Sequence, residues 1–445
     1  MTTVSDPRET HPVDAAAYFG SDAVARRGDL SSVAAGLVGS EILKIAADVR
    51  AMQAAGKPVL NLTVGDFSPQ EFAVPQALTE AAVRALADGQ TNYPPADGVP
   101  ELRQAIQQLY ERELGLRYPL SSIVVQSGGR PGIYATFAAL LNPGDRVIYP
   151  LPSWNNNHYA HLVGAEAIEV PTRREDGFLP TAETLAPHIG AARLVCLNTP
   201  LNPTGTVMSA DHLRAICDLI LAENARRAER GEQAVYLLFD QIYWMLTFGD
   251  ARHFTPPVVA PEMAAYTIFV DGISKGFAAT GLRVGWTVAP PVVVGPIKDI
   301  IAHVGAWAPK PIQVATADLL NDRETVEEYH SQMKVEVQNR LQALYDGFQA
   351  MRAAGLPVDC MAPEGAIYLS ANLDLIGHTF DGNVFRTNED IRQFVLEQAG
   401  FAIVAFGAFG FKDENGWFRL SVGAVSTADV KNGLQRLHAA LERVQ

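Results

Sequence analysis

Through its middle the chain alternates between short β-branched or apolar runs and longer stretches with apolar residues at helical spacing. That alternation is the strongest constraint on its fold. Ile123-Val124-Val125 reads as a strand, and residues 132–141 read as a helix. Residues 145–149 form a second strand-like run, closed by Pro150. Further runs cover 165–170, 194–198, 235–240 and 266–271, and a helical segment at 210–227 lies among them. Strands that alternate with helices are connected by crossovers, which makes the sheet mainly parallel and covers both of its faces.

Outside this block the pattern differs. Residues 40–53 have helical spacing with Gly56 as a stop, 59–62 read as a short strand running into Gly65, and 75–87 and 100–114 read as helices. After Gln313 comes a long charged helical stretch, 325–354, which reads as a bridge between domains. Short strands at 366–370 and 417–422 and a closing helix at 427–444 follow. A chain of 445 residues is too long for one ordinary core. We expect an α/β fold with a lead-in at 1–30, a large domain at 75–325, and a smaller α+β domain built from 31–74 and 326–445.

Charge and cysteine content exclude some functions. The net charge of −14 argues against nucleic acid as a partner, since phosphate backbones need a basic surface. Cys196, Cys217 and Cys360 are widely spaced, and no CxxC or Cys/His cluster occurs, so neither a disulfide framework nor a metal site is expected. The first residues are polar and carry no apolar core of the signal-peptide kind, and no uncharged apolar stretch has the length of a membrane span. A cytoplasmic protein without a membrane partner is expected.

In α/β sheets ligands bind beyond the carboxyl ends of the strands. In this chain those ends carry Ser127-Gly128-Gly129-Arg130, Pro152-Ser153-Trp154, Asn202-Pro203-Thr204-Gly205, Asp240-Gln241-Ile242-Tyr243 and Gly272-Ile273-Ser274-Lys275. Each group has a physical reading. A glycine-rich turn opening a helix offers free N–H groups and the positive end of the macrodipole to a phosphate. A tryptophan stacks on a planar ring. An aspartate pairs with a protonated ring nitrogen, while an asparagine N–H and a tyrosine hydroxyl donate to a phenolate oxygen. A lysine forms an imine with an aldehyde and then shuttles protons. Together these are the needs of a pyridoxal ring. Any one alone is unremarkable: a lone lysine is usually solvated, and Asn-Pro-Thr-Gly is an ordinary turn.

The run Gly272-Ile273-Ser274-Lys275-Gly276-Phe277-Ala278-Ala279-Thr280-Gly281-Leu282-Arg283-Val284-Gly285 resembles the attachment-site signature of class I/II aminotransferases. These are pyridoxal 5′-phosphate (PLP) enzymes of the aspartate aminotransferase fold. The resemblance extends from about Ser40 to the C-terminus. It implies a large PLP-binding domain with a mainly parallel seven-stranded sheet and a smaller α+β domain. It assigns Lys275 as the Schiff-base lysine and proton shuttle, and Asp240 as partner of the pyridine nitrogen. Tyr243 and Asn202 become partners of the ring 3-oxygen, and Trp154 the stacking residue. Arg283, Ser274 and the backbone of Gly129 and Arg130 form the phosphate site. Tyr93, in Asn92-Tyr93-Pro94, resembles the tyrosine that reaches the neighbouring subunit's phosphate, implying a homodimer. Arg419 resembles the arginine that grips the substrate α-carboxylate bidentately, with Gly65 and Asn202 beside it. The chain departs from common members at Gly272, where many have serine, at Gln241, where glutamate is frequent, and at Pro131.

Substrate choice turns on Arg130. Some bacterial aspartate aminotransferases have a lysine at the matching place that helps bind a distal carboxylate, and Ser40 matches a serine of their N-terminal substrate loop. Arg130 reads equally as a helix-start residue serving the phosphate. The expected reaction is ping-pong transfer of an amino group from an amino acid, aspartate or glutamate first, to a 2-oxo acid such as 2-oxoglutarate. Three alternatives stay open: a lyase or synthase of the same fold, an aminotransferase for aromatic or small neutral amino acids, and a non-enzymatic regulator.

Overall fold

The structure, a computed structural model, describes Asp14, Ala16 and residues 30–37 and 41–445. The chain forms two compact units, Met1–Gly39 and Ser40–Gln445. In the first, the helical turn Ser32–Gly36 is capped by the Ser31 hydroxyl, which accepts from the Ala34 N–H. Ser40 lies outside the described residues.

The second unit begins with the helix Glu41–Ala54 and strand β1 (Leu60–Asn61). The next strands are β2 (Ile123–Gln126), β3 (Arg146–Leu151), β4 (Glu166–Pro171), β5 (Ala192–Asn198), β6 (Tyr236–Asp240), β7 (Thr267–Gly272) and β8 (Gly285–Val288). They form one seven-stranded sheet in the order β2-β8-β7-β6-β5-β3-β4. Strands β4, β3, β5, β6 and β7 pair in parallel, and β8 runs antiparallel to both of its neighbours. The expected mainly parallel α/β sheet is therefore present. Alternate residues of one strand enter different cores: Val195 and Leu197 pack on one face, Leu194 and Cys196 on the other. Period-two burial on both sides is what crossover helices impose on a parallel sheet.

The strands expected at 123–125, 145–149, 165–170, 194–198, 235–240 and 266–271 all form, within two residues of their expected ends. Strand β8 was not legible as a strand, because four buried residues after the Lys275 signature carry no alternation. Several helices outside the expected set also form, among them Pro291–Val304, Lys310–Asn321 and Asn388–Ala399. Pro296 sits inside the first, where proline ordinarily argues against a helix.

The expected charged helix runs Arg323–Ala353. It leads to β9 (Val358–Cys360), β10 (Tyr368–Leu373), the hairpin β11 (Thr379–Phe380) and β12 (Asn383–Val384), then β13 (Phe401–Ala402), β14 (Val404–Ala405) and β15 (Trp417–Ser421). An antiparallel sheet of order β14-β15-β10-β9 results, while β1 pairs in parallel with β13. A separate core of Leu341, Leu344, Phe418, Leu420 and Leu437 covers it. The alternation that sends Phe418 and Leu420 into that core turns Arg419 to the opposite face.

The two sheets meet at a tight junction. Gly205 has φ +77°, and a Cβ there would stand 2.2 Å from the Tyr368 carbonyl oxygen. Around it the Gly205 carbonyl accepts from the Gly365 N–H at 2.9 Å, and Ser370 Oγ donates to the Thr204 carbonyl at 2.9 Å. Only glycine satisfies both the left-handed backbone and the close approach. Replacing Gly205 with alanine is expected to destabilise the protein by about 2–4 kcal/mol through backbone strain and overpacking. A lowered denaturant midpoint reads that loss, and an unchanged midpoint would show that the junction relaxes freely.

Candidate active site

The carboxyl ends of β5, β6 and β7 open into a cavity of about 500 Å³ whose lining also includes Gly65, Arg419 and Tyr368. Each functional side chain arrives there for a local reason. The helix Gly129–Leu140 starts right after β2, and its N-cap Gly128 (φ 78°) makes no side-chain cap. Its first N–H groups and the positive dipole end therefore face the cavity without a protein acceptor from the cap. Arg283, itself in the left-handed region at φ 57°, lies across that turn. Its Nη1 donates to the Thr280 carbonyl at 2.8 Å and its Nη2 to the Ser127 carbonyl at 3.0 Å. A Cβ on Gly128 would stand 2.4 Å from Arg283 Nη2, so the glycine makes room for the guanidinium. Ser274 lines the same corner.

Asp240 ends β6 on the cavity floor, where its Oδ1 accepts from the Ile242 N–H at 3.1 Å. Burial pushes its carboxyl up to about 6, against the pull of that N–H and of Lys275. Lys275 stands in the one-turn helix Ile273–Gly276 beyond β7, and its Nζ donates to the Gly65 carbonyl at 2.5 Å. Burial brings its ammonium down to about 8, Asp66 opposes that shift, and Arg419, Arg130 and Arg283 reinforce it. Tyr243 is buried, and its hydroxyl lies 2.6 Å from that of Tyr368. Burial holds the Tyr243 phenol far above its ordinary value, so it stays a hydrogen-bond donor.

Arg419 is only 1% exposed. Its guanidinium lies 4.8 Å from the Tyr368 ring centroid and 4.9 Å from that of Phe409. Nη1 donates to Asn202 Oδ1 at 3.2 Å and Nη2 to the Thr63 carbonyl at 2.7 Å, while Nε finds no partner among the described residues. No described carboxylate pairs with it in an ion pair. A buried cation without an anion is costly and attracts one. Asn202 thus spends its carbonyl on Arg419 and keeps its N–H₂ for the cavity. Arg130 lies 5.3 Å over the Trp154 ring, and both line the cavity.

The structure thus brings together Lys275, Asp240, Tyr243, Asn202, Trp154, Gly129, Arg130, Ser274, Arg283, Arg419 and Gly65 from the expected set. Tyr93 does not join them: it is 81% exposed and packs edge-on against Trp307 at 5.4 Å. Three cavity residues were missed in the sequence. Tyr368 read only as strand. Asn198 ends β5, where its Oδ1 accepts from the Asn202 N–H at 2.7 Å and its Nδ2 donates to the Asp240 carbonyl at 2.8 Å. Applying the strand-end rule to Asn198 itself would have found it. Asp66, next to the loop glycine Gly65, drew no assignment in the sequence.

These groups fit a planar phosphorylated pyridine aldehyde. The uncapped helix start and Arg283 suit a phosphate, Asp240 a ring nitrogen, Tyr243 and Asn202 a phenolate oxygen, and Lys275 an aldehyde. Among the described residues no cluster suited to a metal ion occurs, and no helix is long and apolar enough to cross a membrane.

Comparison with known proteins agrees. Residues 57–437 match the family model described as aminotransferase class I and II. An aspartate aminotransferase of Rhizobium meliloti (strain 1021) is 32% identical over 409 residues, covering 91% of this chain and 94% of that protein. A probable aspartate/prephenate aminotransferase of Thermus aquaticus is 31% identical, covering 89% of this chain and 96% of that one. Among solved structures, the Rhizobium meliloti aspartate aminotransferase superposes with a TM-score of 0.84 at 31% identity, over 94% of this chain and 99% of that one. The Thermus thermophilus aspartate aminotransferase with maleate gives 0.81 at 28% identity, over 93% and 99%. Matched along nearly its whole length in sequence and in fold, the chain belongs to the class I and II aminotransferases, enzymes that depend on pyridoxal 5′-phosphate.

Proposed function

We propose that this aminotransferase moves the amino group of an acidic amino acid, aspartate or glutamate, to a 2-oxo acid such as 2-oxoglutarate by a ping-pong mechanism. The observation that carries this reading is a pair of guanidiniums. Arg419 is buried without an anion, and Arg130 lines the same cavity, with the Lys275 amine in the field of both. A dicarboxylate satisfies both cations, whereas a neutral amino acid satisfies one. The names of the relatives support it, as does the maleate, a dicarboxylate, with the Thermus thermophilus structure.

PLP, when bound, supplies an electron sink for the pair left on the substrate α-carbon. The rest falls to the chain. Arg419 holds the α-carboxylate and, with Asn202 and Gly65, orients the Cα–H bond toward Lys275. Lys275 Nζ, brought close to neutrality by burial, takes and returns that proton. Asp240 holds a negative charge where the ring nitrogen sits, Tyr243 and Asn202 donate to the ring oxygen, and Trp154 covers the ring. Arg283, Ser274 and the N–H groups of Gly129 and Arg130 hold the phosphate. Residues 75–325 form the cofactor-binding body and 41–74 with 326–445 the smaller one. Tyr93, exposed on one protomer, completes the phosphate site of a second copy in a cytoplasmic homodimer.

Aspartate or glutamate should shift the visible absorption of the PLP-loaded enzyme to the near ultraviolet. Lys275→Ala should lose that shift on the catalytic timescale. No shift with any amino acid would overturn the reading, and ammonia release without an oxo-acid acceptor would favour a lyase. Arg130→Leu should lower kcat/KM for aspartate by about 10- to 100-fold, the loss of one charge-assisted pair. The same change should leave alanine little affected; equal losses on both would assign Arg130 to the phosphate.

The pH dependence has a definite sign. Asp240 is raised above the ordinary carboxyl range, so in the cofactor-free protein its ionised form costs stability as pH rises toward about 6. Below about 6 it is protonated and has no charge to offer the ring nitrogen. Cofactor affinity should therefore weaken as pH falls through about 6. Asp240→Asn should flatten that limb and lower kcat by at least about 10²-fold; a wild-type profile in this variant would exclude Asp240 from the role.

A hybrid of one Lys275→Ala and one Tyr93→Phe protomer tests the crossing. Its single intact lysine faces a wild-type Tyr93 from the other chain, so that site should regain wild-type PLP affinity. Retention of the Tyr93→Phe affinity would place the tyrosine in its own site.

A further inference from the structure

The cavity contains one carboxylate to which neither the family signature nor the mechanism above gives a task. Asp66 lines it, one residue beyond the carbonyl that takes the Lys275 amine. The carboxylate is aimed from two sides: Thr280 Oγ1 donates to its Oδ1 at 2.6 Å, and the Phe67 N–H donates to the same oxygen at 2.8 Å. Thr280 opens the next helical turn, Thr280–Leu282, five residues beyond the lysine, so the segment that carries the lysine also fixes the position of the acid. The loop carrying Asp66 is held as well. A Cβ on Gly65 would stand 2.9 Å from Tyr368 Oη and 3.6 Å from Arg419 Nη1, so a side chain at this position would press on the hydroxyl and the guanidinium beside the lysine.

The surroundings of the amine explain what such an acid is for. Arg419, Arg130 and Arg283 all oppose a proton on Nζ. The rings of Tyr243 and Phe67 lie 5.8 and 5.9 Å from Nζ and supply no charge. The carboxylates facing the amine are Asp66 and, from the floor, Asp240, and Asp240 is committed to the ring nitrogen in the reading above. A base that removes a proton must hold it long enough to deliver it. In a field of three guanidiniums an ammonium is disfavoured unless a negative charge stands near it.

We propose that Asp66 is a positioning residue for the Lys275 amine: with the Gly65 carbonyl it forms a berth that holds the lysine as an ammonium between taking a proton and giving it back. The proton leaves the substrate α-carbon, its bonding pair stays with the carbon, and an N–H bond forms at Nζ. The ammonium then donates to the Gly65 carbonyl in the field of Asp66, and the same N–H bond breaks on return. Thr280 keeps the carboxylate from collapsing onto the lysine as a permanent ion pair, since it holds Oδ1 by its own hydroxyl.

The inference rests on Lys275 being the cofactor lysine, and the test separates the two. Asp66→Asn is an isosteric probe, because both donors reach Oδ1 and an amide oxygen accepts from both; the variant removes the charge alone. The protein is loaded with pyridoxamine 5′-phosphate, which leaves the lysine amine free of any covalent bond. It is then pulsed with acetic anhydride across about pH 6 to pH 10, and labelling of the Lys275 peptide is read by mass spectrometry. The midpoint should fall by about half a pH unit or more in Asp66→Asn. Asp66→Glu, which keeps the charge, should return it toward wild type. In turnover, Asp66→Asn should lower kcat with little change in KM. Asp66→Ser gives a second uncharged reading should the asparagine variant not accumulate. An unchanged midpoint in the uncharged variants overturns the role of Asp66. Loading with PLP should block labelling of Lys275; if it does not, the assignment of the lysine itself fails.

Discussion

The chemistry of the cavity turns on an excess of positive charge, deepest at Arg419, which is 1% exposed, while Arg283 and Lys275 are partly buried and Arg130 is exposed. Lys275, Arg130, Arg283 and Arg419 line one cavity, and its lining among the described residues includes two carboxylates, Asp66 and Asp240. The chain as a whole carries −14, so this concentration is local and is built against the average surface. Desolvation penalises such a cluster, and the folded chain tolerates it because each guanidinium is spread over neutral acceptors and aromatic faces: the carbonyls of Ser127, Thr280 and Thr63, the Asn202 amide, and the rings of Trp154, Tyr368 and Phe409. Neutral partners satisfy hydrogen bonds without cancelling charge. The cavity thus keeps its attraction for anions. Burial first, and then the three guanidiniums, lower the proton affinity of Lys275, which suits the base role proposed for it.

The fold's contribution is to bring these charges together from distant parts of the chain without long side-chain reach. Parallel strands all end on one edge, so Asn198, Asp240 and the Lys275 turn lie side by side although they are far apart in sequence. The antiparallel sheet then supplies the opposite wall. Arg419 on β15 is paired with Ser370 and with Val404, and that register fixes which face it presents. The contacts at Gly205 lock the two sheets near the same place, which ties Arg419 to the strand ends that carry Asp240 and Lys275.

Much of this was legible in the sequence, and the parts that were not share a cause. The parallel strands announced themselves by β-branched runs, and the residues at their ends by chemistry out of place in a bland core. What sequence could not give was the content of short or tertiary-defined pieces. Strand β8 is four residues long and buried on all sides, so no period is visible. The helix Pro291–Val304 is apolar almost throughout and carries an internal proline. Tyr368 and Asp66 matter only because the second sheet folds back onto the first. Tyr368 looks like one more strand aromatic until its hydroxyl is seen 2.6 Å from that of Tyr243. Asp66 draws no assignment until Thr280 is seen donating to it.

The contact between Arg130 and Trp154 bears on how specificity is built. The guanidinium lies over the indole, so in the function proposed above the ring that would cover the cofactor also orients the cation that would face the substrate's far end. Trp154 is in turn tilted against Phe409, and Phe409 lies under Arg419. The two guanidiniums are therefore linked through a short chain of aromatic faces, Arg130–Trp154–Phe409–Arg419, with no acidic residue between them. Neutralising either cation by a protein carboxylate would have fixed its position at the cost of its affinity for substrate. Holding it on a π-face fixes the position and leaves the charge available. Under the function proposed above, a dicarboxylate would meet both cations, Arg419 held in the packing and Arg130 exposed over the indole.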